Sequence, residues 1–145
     1  MQAYIGYSFL RFYATPGAVA NTSGVEGSLA YSLRSWIAAE GEINGQFGAQ
    51  STRVSFAGGG LRVCCIGLET KQIWAHAIVG GAHLIPTPTV GGSQAFGYEA
   101  GAGIGMKLHN EWPLVYRVEA DVLGTSFFQT YQVSPRVSVG LVFNF

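Results

Sequence analysis

The chain has 145 residues, one domain's worth, and its eight acidic and eight basic side chains cancel, so net charge points to neither nucleic acid nor anionic lipid as a partner. Charged residues make up 11% where a soluble domain carries roughly a quarter, which would leave a water-facing surface short of charge. No apolar run reaches the ~18 residues of a transmembrane helix, so any membrane span has to be built from strands.

Alternation with period two runs through nearly the whole chain. Met1-Gln2-Ala3-Tyr4 leads straight into patterned sequence without a secretory signal, as expected of a mature protein given an initiator Met. A first strand is predicted from Tyr4 to Tyr13. In the second, Val25, Gly27, Leu29, Tyr31 and Leu33 alternate with Glu26, Ser28, Ala30 and Ser32. After a tight turn at Arg34-Ser35, a third strand sets Ile37, Ala39, Ile43 and Phe47 against Ala38, Glu40, Glu42, Asn44 and Gln46. A glycine-rich fourth strand, Arg53 to Val63, has no assignable faces. Cys64 and Cys65 follow as a turn with two thiols: adjacent cysteines rarely form an unstrained disulfide, and no Cys-x-x-Cys spacing or nearby His suggests a metal site.

The fifth strand runs from Ile73 to Ala82. In the sixth, Phe96, Tyr98, Ala100, Ala102, Ile104, Met106 and Leu108 alternate with Gly97, Glu99, Gly101, Gly103, Gly105 and Lys107. The seventh opposes Leu114, Tyr116, Val118, Ala120 and Val122 to Arg117, Glu119 and Asp121. At the end, Val137, Val139, Leu141, Phe143 and Phe145 oppose Arg136, Ser138, Gly140, Val142 and Asn144. These eight strands predict an all-β, antiparallel, up-and-down barrel in a single domain spanning residues 1–145. Connections at 14–24, 48–52, 83–93 and 124–132 form one set; Arg34-Ser35, 64–72 and 109–113 form the other.

Alternation alone does not say which face is outside. In a soluble lipocalin-like carrier the polar face would meet water, yet here that face is rich in Gly, Ala and Ser. As the lining of a narrow eight-stranded lumen those small residues leave room for paired large ones. Glu26, Glu40, Glu42, Glu99, Glu119 and Asp121 would then share the interior with Lys107, Arg117 and Arg136, with Arg53 or Arg11 as further cations. Pairing would be obligatory, because an unpaired buried charge costs several kcal/mol (order of magnitude). Runs of about 9 to 11 residues suit a transmembrane β-strand, and closure leaves no unpaired edge in hydrocarbon. Tyr7, Tyr31, Trp36, Trp74, Trp112, Tyr116 and Phe145 lie toward strand ends, as interfacial girdles would.

The segments Gly6-Tyr7-Ser8-Phe9-Leu10-Arg11-Phe12, Ser28-Leu29-Ala30-Tyr31-Ser32-Leu33 before Trp36, and Gly80-Gly81-Ala82-His83 resemble the small outer-membrane barrels of the OmpA and OmpX type, over essentially the whole chain. The ending carries the more specific likeness. Val139, Leu141, Phe143 and the terminal Phe145 resemble the C-terminal signal read by the outer-membrane barrel assembly machinery. The resemblance implies secretion to the periplasm and assembly in the bacterial outer membrane, with outer-membrane lipid as environment. The expected protein is a monomeric or weakly self-associating barrel with a structural, surface-interaction or minor permeability role. The chain stops after its last strand, so the appended peptidoglycan-binding domain of OmpA is not expected.

Two kinds of barrel in this group are enzymes that modify lipid A. The deacylases place a Ser two residues after the catalytic His, but after His76, His83 and His109 those positions hold Ile78, Ile85 and Glu111. No enzyme activity, cofactor or metal is therefore expected. His76 reads as a satisfied interior histidine whose sequence neighbours offer no metal partner. Glu40, Glu42, Glu99, Arg117, Glu119, Asp121 and Arg136 read as a static ion-pair plug in preference to a gated polar pathway, because the lumen is narrow. The alternatives left open are the lipocalin-like carrier, with its apolar face inward, and a lipid-modifying enzyme, which would need His76 or His83 beside a Ser and a carboxylate at the bilayer boundary. The outer loops, with content such as Pro86-Thr87-Pro88-Thr89, are nearly free of charge.

Overall fold

In a computed structural model, residues 1–15, 18–49, 52–68, 71–85, 93–107 and 113–145 are described. They form β1 (Gln2–Thr15), β2 (Ala18–Arg34), β3 (Ile37–Gly48), β4 (Arg53–Leu68), β5 (Lys71–Ile85), β6 (Ser93–Lys107), β7 (Leu114–Thr125) and β8 (Gln132–Asn144). Each strand pairs antiparallel with its sequence neighbours, and β1 pairs with β8, closing the barrel in the order β1-β2-β3-β4-β5-β6-β7-β8. At the seam Phe145 N donates to Met1 O at 2.9 Å. No helix among the described residues is long and apolar enough to cross a membrane.

Period two fixes which residues point out. On β2 Val25, Leu29, Tyr31 and Leu33 are exposed while Glu26, Ser28 and Ala30 are buried; on β8 Val137 and Phe143 are exposed while Ser134, Arg136, Ser138 and Val142 are buried. Ile5, Tyr7, Phe9, Ile43, Val79, Phe96 and Ile104 continue the apolar outer face around the other strands. A water-soluble carrier would bury such residues, so the faces are not those of a lipocalin-like barrel. The outer surface is the apolar band of a transmembrane barrel.

The strands are longer than the sequence periodicity suggests, and several connections shrink accordingly. The 14–24 connection is mostly strand, because β1 and β2 stay in register from Gln2↔Ala30 to Tyr13↔Val19. Cys64 is not in a turn either: it lies exposed and unpaired within β4, where the pairing with β5 slips between Cys64 and Ile66. The predicted content at Pro86–Thr89, at 108–112 including Trp112 and His109, and at Pro16-Gly17 lies outside the described residues.

The interior has two regions. Toward the termini it is polar and charged, capped by Tyr4, Val115 and Val142. Toward the β1–β2, β3–β4, β5–β6 and β7–β8 connections it is apolar, built from Leu10, Phe12, Val54, Phe56, Ile78, Ala82, Leu84 and Leu123. Phe127 completes this apolar plug. It sits on a single 3-10 turn (Phe127–Gln129) that folds into the mouth, its ring edge-on to Phe12 at 6.1 Å between centroids. Gln132 holds it there: its Nε2 donates to Phe127 O and its Oε1 accepts from Phe127 N, both at 3.0 Å.

Candidate functional site

Every strand except β1 sends a carboxyl, guanidinium or imidazole side chain into the polar half of the lumen, and three arginines organise them. Arg136 on β8 faces four carboxylates: Glu42 Oε1 at 2.7 Å, Asp121 Oδ2 at 3.1 Å, Glu26 Oε2 at 3.2 Å, and Glu99 Oε1. Arg117 on β7 pairs with Glu119 and, at 3.4 Å, with Glu40. Its guanidinium lies 4.2 Å from the centre of the Tyr4 ring and 5.1 Å from that of Trp74. Arg62 on β4 binds Glu40 through two nitrogens, one of them at 2.9 Å, and donates to Gln2 Oε1 at 2.9 Å. Ser28 donates to Glu40 at 2.9 Å and Trp74 Nε1 to Glu119 at 2.8 Å.

His76 on β5 bridges these groups. Its Nε2 is 3.0 Å from Asp121 Oδ1 and 3.7 Å from Glu99 Oε1; its Nδ1 is 3.4 Å from Glu40 Oε2. Glycines on β6 make the crowding possible. Gly101 is the cross-strand partner of both His76 and Asp121, and a Cβ there would collide with the Asp121 carboxylate. At Gly103 a Cβ would lie 2.6 Å from both Trp74 Cζ2 and Glu119 Cγ, so the indole needs that bare stretch of backbone.

Eight of the nine polar residues singled out from sequence meet in this layer: Glu26, Glu40, Glu42, Glu99, Arg117, Glu119, Asp121 and Arg136 are all buried. Lys107 does not join them. It is exposed at the end of β6 and makes no ion pair among the described residues, because a strand-end position leaves its ammonium in water. Arg11 and Arg53 are likewise exposed on the outer face, beside Tyr13 and Phe47. The third interior cation is Arg62, which the glycine-rich fourth strand hid. Trp74 is also misplaced by the girdle pattern: it is 3% exposed and points inward. Val139, Leu141 and Phe143 lie on the outer face of β8, with Phe145 just beyond it.

Six buried carboxyl groups thus face three guanidinium groups and one imidazole, so carboxyl groups are in numerical excess even though every arginine is engaged. Both carboxylate oxygens of Glu26, one each of Glu99 and Glu119, Tyr4 Oη and Ser138 Oγ have no hydrogen-bond partner. The excess sits where Arg136 is shared four ways.

Among the described residues this layer pairs no Ser with a base: Ser28 donates to a carboxylate, and the ion-pair contacts of His76 are to carboxylates. On the outer face His83 is flanked across the strands by Ser55 and Gln94, above a groove also lined by Ile43, Ala57, Gly81 and Phe96. An amide stands where a Ser-His hydrolase needs a carboxylate to orient the imidazole.

The backbone itself has close counterparts. The crystal structure of Neisserial surface protein A superposes with a TM-score of 0.82, at 9% identity, covering 99% of this chain and 96% of that one. The fold is that of the small transmembrane barrels. The N-terminal β-barrel domain of Pseudomonas aeruginosa OprF follows at 0.63, with 14% identity over 98% of this chain and 97% of that one. Ail, the attachment invasion locus protein of Yersinia pestis, matches at 0.57 with 13% identity over 98% of each, in a complex with the heparin analogue sucrose octasulfate. No family model and no curated protein matches the sequence.

Proposed function

We propose that the chain is an integral outer-membrane barrel of bacterial type whose role is structural or surface-interacting, with no catalytic activity and no open pore. The observation that carries this reading is the pairing of an apolar outer band with a lumen blocked twice along its axis. Leu10, Phe12, Phe56, Leu84 and Phe127 fill one half, and Arg117, Arg136, Glu99 and Glu119 fill the other, all 2% exposed or less. An ion would have to displace aromatic rings and then break several buried ion pairs, each worth several kcal/mol (order of magnitude) when one partner is removed. The ion-pair layer acts as a static plug that locks the strands in register. Surface interaction is supported by the fold shared with Ail and with Neisserial surface protein A. Delivery by the barrel assembly machinery, with Val139, Leu141, Phe143 and Phe145 as the signal, and a monomeric state belong to the same proposal.

Urea extraction of washed membranes from an expressing Gram-negative host, with gel mobility compared before and after boiling, tests membrane insertion. The folded barrel is expected to resist extraction and to migrate differently unboiled; extraction into urea overturns the reading. Planar-bilayer recording on the same preparation should show no steady conductance.

A further inference from the structure

The geometry points to a divalent metal site of mixed nitrogen and oxygen ligation inside the barrel, formed by His76 of β5, Glu99 of β6 and Asp121 of β7. A ring nitrogen and two carboxylate oxygens from these residues all lie within 4.8 Å of one another, and all three side chains are buried. Donors about 2.1 Å from a tetrahedral ion stand about 3.4 Å apart. His76 Nε2 is hydrogen-bonded to Asp121 Oδ1 at 3.0 Å and lies 3.7 Å from Glu99 Oε1, which Arg136 also holds, so an ion would enter by replacing the His76–Asp121 hydrogen bond.

Both acids are held from behind by Arg136, as metal ligands are when a surrounding layer orients them. The His76 Nδ1 faces Glu40 Oε2 at 3.4 Å without a hydrogen bond, which leaves Nε2 on the side of the two acids. Asp121 gives Oδ2 to Arg136, at 3.1 Å, and keeps Oδ1 toward the imidazole. Glu99 gives Oε1 to Arg136, while its Oε2 has no partner although the residue is 0% exposed. A carboxylate oxygen left bare and fully buried beside an imidazole nitrogen and a second carboxylate is the donor a cation would take up. His76, Glu99 and Asp121 stand far apart in the sequence, and only the register of β5, β6 and β7 brings them together.

The layer is closed by Tyr4, Val115 and Val142 on one side and by the apolar plug on the other, so the ion is trapped as the barrel folds. The test is therefore to refold the full chain in detergent with cobalt(II) present, strip external ion with chelator, and measure cobalt per heat-modifiable barrel. About one cobalt per chain is expected, with the visible absorption of a nitrogen- and oxygen-ligated ion. His76→Gln and Glu99→Gln should each retain at least tenfold less, on the scale by which single partners alter metal sites. His83→Gln, on the outer face, should retain as much as the parent. Folded parent protein holding less than about a tenth of an equivalent overturns the proposal, as does undiminished retention by folded His76→Gln. If one variant does not fold, the other and the parent stoichiometry still decide.

Discussion

The two halves of the lumen solve one packing problem by opposite means. Near the connections, apolar side chains from β1, β4, β5 and β7 interlock with the Phe127 ring, and their packing depends on shape rather than on paired charges. Near the termini, the same cross-section is filled by arginines and carboxylates, each placed correctly only if several strands are in register. A strand slipped by one residue would turn its whole inner face outward. The apolar half contributes burial; the charged half contributes uniqueness, because a slipped strand would strand a charge in lipid or leave one unpaired. This division makes the responses to substitution unequal, and five variants probe it by urea titration of the refolded barrel, followed by gel mobility.

Arg136→Leu should have the largest effect. It leaves Glu26, Glu42, Glu99 and Asp121 without their shared cation, at a cost above the ~3–5 kcal/mol of one broken buried pair, so no heat-modifiable band should form. Phe12→Ala should cost about 3–5 kcal/mol by opening a cavity against Phe127, while the barrel still folds. That contrast is the comparison in its sharpest form, and equal losses for both variants would break it. Trp74→Phe removes the donor to Glu119 and should cost about 1–3 kcal/mol. Glu26→Gln should be milder: its contact with Arg136 at 3.2 Å is one of four that the arginine makes, so the amide is expected to stay within about 1 kcal/mol of the parent. Lys107→Ala should stay within about 0.5 kcal/mol of the parent, as a surface change does.

The same division explains what the sequence could show. Where the lumen is charged, polar residues mark the inner face against an apolar outer one. The faces of β2, β3, β6, β7 and β8 are therefore legible in Glu26, Glu40, Glu42, Glu99, Glu119, Asp121 and Arg136. In β5 the contrast fades even beside the charged layer: Ile73-Trp74-Ala75-His76-Ala77-Ile78 has apolar groups on both faces, so Trp74 could not be told from a girdle residue. In β4 three consecutive glycines carry no polarity at all, which hid Arg62 on the inside and Arg53 on the outside. The meeting of His76 with Glu99 and Asp121 is a property of cross-strand register, which no local spacing encodes.

The Gln132 clamp on Phe127 has a consequence for engineering. Connections on such barrels are the usual place to graft foreign peptide, since loop tips tolerate insertion. The segment between Ser126 and Gln132 is a poor choice, because both of its neighbouring backbone bonds to the Gln132 amide depend on its present length. An epitope inserted there would draw Phe127 out like a cork, expose Phe12 and Leu123 to water, and turn a display scaffold into a sticky one.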